Sequence, residues 1–168
     1  MNWMEETARK EAERDKLRDV DVLGEVIAIV ALSVLITFLV ANQSRPTGLF
    51  TSEFGTVEMV ALYGCLFYGY LPPLLRILLR RRNVVRPFEV IGNGLFIVAA
   101  SYLLYVFPFD FTQLSVLLPE GLSAVFDWLT DDVAKLILSI AIAVTVFVSV
   151  WQIVLFHLVK DRIGGKEA

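Results

Sequence analysis

Six side chains set in otherwise apolar sequence have the chemistry to form a site: Glu25, Arg76, Glu89, Asn93, Gln152 and His157. Ionisable groups inside stretches of bilayer-crossing length are the usual pointers to function, because burying one at mid-bilayer costs at least about 2.5 kcal/mol even on insertion scales. Here they avoid the middle. Glu25, Arg76, Glu89 and His157 fall within a turn or two of one predicted boundary, Asn93 shares a helix face with Glu89 at i+4, and Gln152 lies somewhat deeper. In a compact bundle they would converge on one polar cluster, with Arg76 neutralising one carboxylate. The simpler expectation is that each snorkels to the nearer surface.

Other chemistries are poorly supplied. A single histidine excludes haem held by two histidines, and Cys65 as the only cysteine excludes an intramolecular disulfide, a multi-cysteine metal site and the thiol chemistry of four-helix membrane oxidoreductases. No Ser/His/Asp or paired-carboxylate arrangement stands out. We expect no enzymatic activity, no cofactor and no metal.

The elements that must position the polar residues are four apolar stretches. A hydrocarbon core about 30 Å thick needs about 20 apolar residues at a helical rise of about 1.5 Å. Four segments meet that demand, at 22–41, 57–79, 88–107 and 133–159. A soluble bundle would show a charged face at helical period on each helix, and Val26 to Ala41, Leu95 to Phe107 and Leu136 to Ile153 show none. The expected fold is an all-α membrane protein, a bundle of four transmembrane helices forming one domain (22–160), with a charged helical arm (1–21) before it and a short tail (161–168) after it.

Basic residues in short flanking loops stay on the cytoplasmic side. Of the 15 Lys and Arg, only Arg45 and Lys135 fall on the face opposite the arm, the central loop and the tail. Both termini are therefore expected in the cytoplasm, with the plasma membrane as the expected location. The first apolar stretch, beginning after some twenty mostly polar residues, reads as an anchor and not a cleaved signal.

The arm pairs charges at helical spacing, among them Glu6 with Lys10, Glu11 with Arg14 and Asp15 with Arg18, and is expected to be a solvated helix. Pro72 and Pro73 predict a kink or break in the second crossing. Three consecutive arginines point around a whole helix, which argues against a voltage sensor, so Arg80, Arg81, Arg82 and Arg86 are expected to hold their loop in the cytoplasm and touch anionic headgroups at about 1 kcal/mol each. On the other side, Leu122, Val125, Phe126 and Leu129 follow i, i+3, i+4, i+7 after Pro119, predicting a short interfacial helix on the outer surface.

Small residues recur every fourth position at Ser33, Thr37 and Ala41, at Ala61, Cys65 and Gly69, and at Ala141, Thr145 and Ser149. Such ladders let helix backbones approach closely in lipid. The last set is expected to be a packing face within the chain or, on a sharper reading, a face that joins subunits.

These features lead to a non-catalytic four-pass membrane protein that binds a membrane partner or assembles with itself. Its expected surroundings are the lipid bilayer, a second copy or another membrane protein, and no nucleic acid. The alternative is a small cation channel or carrier, or a transporter subunit. A cavity reaching Glu25 and Glu89 would favour the alternative, and the apolar middle of all four helices counts against an open pore.

Overall fold

A computed structural model describes residues 3–43, 48–113 and 128–164. Over these the chain is all-helical: α1 (Trp3–Glu13), α2 (Asp19–Gln43), α3 (Thr56–Tyr68), α4 (Leu71–Leu79), α5 (Arg82–Val106), a 3-10 turn (Phe111–Gln113) and α6 (Asp131–Gly164). Four spans are long and apolar enough to cross a membrane, namely α2, α3 with α4, α5, and α6 as far as Val159. In α6 none of the apolar window is buried within the chain, and Val144, Phe147 and Val150 are among its exposed side chains. The interfacial helix expected at Pro119–Leu129 lies outside the described residues, apart from its last two positions.

The break in the second crossing falls where two prolines are easily housed. The helix ends at Tyr68, tightens through Tyr70 N–H to the Phe67 carbonyl (3.2 Å), and restarts at Leu71. Pro72 and Pro73 thus sit in the first turn of α4, where their missing N–H groups would have had no helical partner anyway. The absence of a side chain at Gly69 matters here, since a Cβ would meet the Leu66 carbonyl oxygen at 2.9 Å and Leu32 of α2 at 3.2 Å. Tyr70 Oη lies 2.9 Å from Ser33 Oγ, a second tie between the break and α2.

α5 begins at Arg82, six residues before the predicted boundary, and carries Pro87 within it. The reason is the segment between α1 and α2. Asp15 Oδ1 accepts the Asn83 N–H (2.8 Å), the Asp15 carbonyl accepts the Arg82 N–H (2.8 Å), and the Leu17 N–H donates to the Arg80 carbonyl (3.0 Å). Asp15 therefore caps the first turn of α5 from 68 residues away. The arm departs from the expected solvated helix in the same way: α1 packs on α6, and Leu17 is buried. Of the pairs expected within it, Glu6–Lys10 forms at 2.8 Å; the hydrogen bond from Lys10, then its charge, holds the Glu6 carboxyl below its ordinary range.

α5 is the central element, packed against α6 on one side and against α3 and α4 on the other, while α2 packs on α4 and more thinly on α3. The end opposite the arginines closes with an aromatic cluster around Leu39, Leu49 and Tyr63, joined by Phe50, Phe54, Phe109 and Phe111. There Thr51 N–H donates to the Pro108 carbonyl (3.1 Å) and Asp110 N–H to the Leu49 carbonyl (2.8 Å). Short backbone bridges thus fasten both ends of the bundle, around Lys16 and Arg81 at one and Phe50 and Phe109 at the other.

Candidate functional site at the arginine-rich end

The site is built around one guanidinium shared by two carboxylates. Arg76, one turn from the end of α4, donates from Nη1 to Glu25 Oε1 of α2 at 2.7 Å and from Nε to Glu89 Oε1 of α5 at 3.0 Å, and its Nη2 also bonds Glu89 Oε1. Glu89 is completed by Gln152 of α6, whose Nε2 donates to Oε2 at 2.8 Å, and Asn93 Nδ2 donates in turn to Gln152 Oε1 at 3.0 Å. One polar chain thus runs through the helices of all four spans. The side chains of Arg76, Glu25 and Glu89 are 28%, 16% and 11% exposed, which separates them from snorkelling residues that keep their heads in water. With both acids ionised the trio carries a net charge of about −1. The hydrogen bonds to Glu25 from described residues reach only Oε1, so its second oxygen is the acceptor left for another group.

The other sequence-selected residues divide. His157 is exposed on α6, with Nδ1 2.9 Å from the Ile153 carbonyl and its ring edge-on to Phe156, so it stands apart from the cluster. Arg86 is not an exposed loop residue. It is 7% exposed, and its guanidinium donates to Glu11 (2.6 Å) and to Asn83 Oδ1 (3.3 Å), because the docked arm covers it. Arg80 and Arg82 pair with Asp19 and Asp21 in the first turn of α2, at 2.9 Å each, and Arg81 remains exposed. Acids of the arm and of α2 thus pair with three of the four guanidinium groups that were expected to meet lipid, and Arg81 is the exception.

Ala141, Thr145 and Ser149 are half-buried on α6 between exposed valines, and Ala141 faces a cavity shared with α5. Thr145 and Ser149 return their hydroxyls to the carbonyls one turn back, at 2.7 Å each, which leaves the surface smooth for packing. Glu11 and Asp15 are the site residues that sequence reasoning missed. Their charges found sequence neighbours at i+3, and nothing local signals a partner 75 or 68 residues away.

Three cavities lie in series along the bundle. The first, about 270 Å³, is lined by Glu11, Arg82 and Arg86 near the arm and by Glu25, Arg76 and Glu89 within. The second, about 380 Å³, shares Arg76, Glu89 and Gln152 with the first and extends past Tyr68, Gly69 and Pro72. Because residues 72 and 73 are prolines, the Tyr68 and Gly69 carbonyls have no N–H donor four residues on. The third, about 340 Å³, shares Cys65, Leu66 and Phe96 with the second and has only apolar side chains and Cys65 around it, beneath Phe107, Phe109 and Phe111. Polarity therefore falls from the arginine-rich end towards the aromatic end.

Comparison with protein-family models, with curated proteins and with solved structures finds no match to this chain.

Proposed function

We propose that this chain is a small carrier for a cation, or the membrane subunit of one, with its arginine-rich end on the cytoplasmic side. The observation that carries the reading is the Glu25–Arg76–Glu89 trio, two carboxylates on one guanidinium, in the lining of a polar cavity. A buried ion pair balanced one to one would serve as a helix clamp, whereas a second carboxylate in low dielectric attracts a counter-charge. Glu25, whose second oxygen accepts no hydrogen bond from the described residues, is the residue that takes it. Glu89 is saturated by Arg76 and Gln152 and positions the guanidinium. The apolar third cavity and its aromatic roof favour a carrier, which binds and then changes shape, over an open pore.

The test uses the full chain in sealed vesicles under an imposed gradient of H⁺, Na⁺, K⁺ or tetramethylammonium. Flux of one of these is expected, abolished by Glu25→Gln in protein whose melting temperature is unchanged. Wild-type vesicles that carry none of the four would remove the carrier reading.

Assembly with a partner is a second reading, supported by α2, where Thr37 and Ala41 are exposed along a shallow groove that also includes Ser33 and Phe38. Its test is disulfide trapping through Thr37→Cys in a Cys65→Ser background. A monomer at all oxidant concentrations would end it.

A further inference from the structure

We infer that the occupant of the site is an elongated amphiphile with a cationic head, such as an alkylammonium, its head at Glu25 and its hydrocarbon body in the apolar cavity beneath Phe107 and Phe109. The inference rests on the trio being a cation site, and it names the class of cation.

Two observations point the same way. The first is charge: two carboxylates share the one guanidinium of Arg76, while Asn93 donates to Gln152 and Gln152 to Glu89. The second is the series of cavities, in which the same Cys65, Leu66 and Phe96 border both the middle cavity and the apolar one. A bare Na⁺ or K⁺ would leave the apolar cavity unused. Water would not fill it, since an ordered water needs two to four polar partners and the lining offers essentially none. Hydrocarbon fits both its chemistry and its reach, because Glu89 beside the site and Leu103 in the apolar cavity, both on α5, stand about 21 Å apart at a rise of about 1.5 Å per residue. An anionic or zwitterionic head would place negative charge beside Glu25 and is disfavoured for that reason.

The experiment is photolabelling of the full chain in lipid nanodiscs with a long-chain alkyltrimethylammonium that carries a diazirine at the chain end, with the label mapped by mass spectrometry. Label is expected on Phe96, Leu103 and Leu138, at least tenfold above that from an alkyl sulfonate of the same length, and at least fivefold lower in Glu25→Gln. Ala141→Leu, or Ala61→Leu on the opposite wall if the first variant does not fold, should shift the label out of the cavity. Calorimetry with tetramethylammonium, the head alone, runs in parallel. Binding of tetramethylammonium that depends on Glu25, together with label spread evenly over lipid-facing Val144, Phe147 and Val150 or equal labelling by the sulfonate, overturns the amphiphile and leaves the cation site standing. Binding of neither compound overturns both.

Discussion

At the residue scale, the stoichiometry of charge decides what each member of the trio does. Removing Arg76 leaves two carboxylates facing each other with most of their water gone, so Arg76→Gln should destabilise by about 3 kcal/mol, the lower end of what breaking a buried pair costs. Adding Glu89→Gln should restore most of that loss. Glu25→Gln should behave differently, because it leaves one guanidinium opposite one carboxylate, and a change of less than about 1 kcal/mol is expected. Thermal melting of the three variants in one detergent checks the order; a Glu25→Gln variant as unstable as Arg76→Gln would mean that the second carboxylate is structural. Residue type and depth pointed to Glu25, Arg76, Glu89, Asn93 and Gln152 as polar groups in apolar surroundings, but the same signal pointed to His157, which stands apart on α6. The pairing was not legible. Arg86 lies only ten residues from Arg76 and has the same chemistry, yet it answers to Glu11, and only the docking of the arm decides that.

At the element scale, helix starts are set by what satisfies their first N–H groups. Asp15 does this for α5 across the chain, so Asp15→Ala should cost about 1 kcal/mol, the usual loss for a helix cap, with faster amide exchange confined to Asn83 and its neighbours. Exchange as slow as in the parent would mean that the cap contributes nothing. On α6, Thr145 is half-buried while Val146 is 45% exposed. Thr145→Leu should overpack the face towards α5 by about 1–3 kcal/mol, whereas Val146→Leu should be nearly silent; equal tolerance at both would make the small-residue ladder accidental. The four spans were legible because hydropathy over some twenty residues needs no tertiary knowledge. Their ends were less so. Pro87 stands one residue before the expected start at 88 and is absorbed inside α5, because the preceding turn is held by the arm.

At the scale of the whole molecule, the two ends differ in character: salt bridges and a docked arm at one, aromatic rings at the other. The skew of basic residues predicts which end faces the cytoplasm. In a Cys65→Ser background, Ser52→Cys, exposed at the aromatic end, should react with an impermeant thiol reagent added outside intact cells, and Arg81→Cys, exposed at the other, should react only after lysis. Labelling of position 81 from outside would invert the topology and the proposed direction of access. The aromatic end was partly legible from Phe107, Phe109 and Phe111. The file of cavities was not, because voids arise from helix crossing and from the restart at Leu71, which no local pattern encodes.

The separation of the trio along the chain has a consequence for how the protein is made. Glu25 is synthesised 51 residues before Arg76, and at about 5–20 residues per second the ribosome takes roughly 3–10 s to bridge that interval. Throughout it the first span holds a carboxylate without its cation, and we expect it to settle only when the second span arrives, the two entering the bilayer as a hairpin. Chains truncated after residue 70 should therefore be extracted and degraded faster than chains truncated after residue 80, although both contain the whole of the first span.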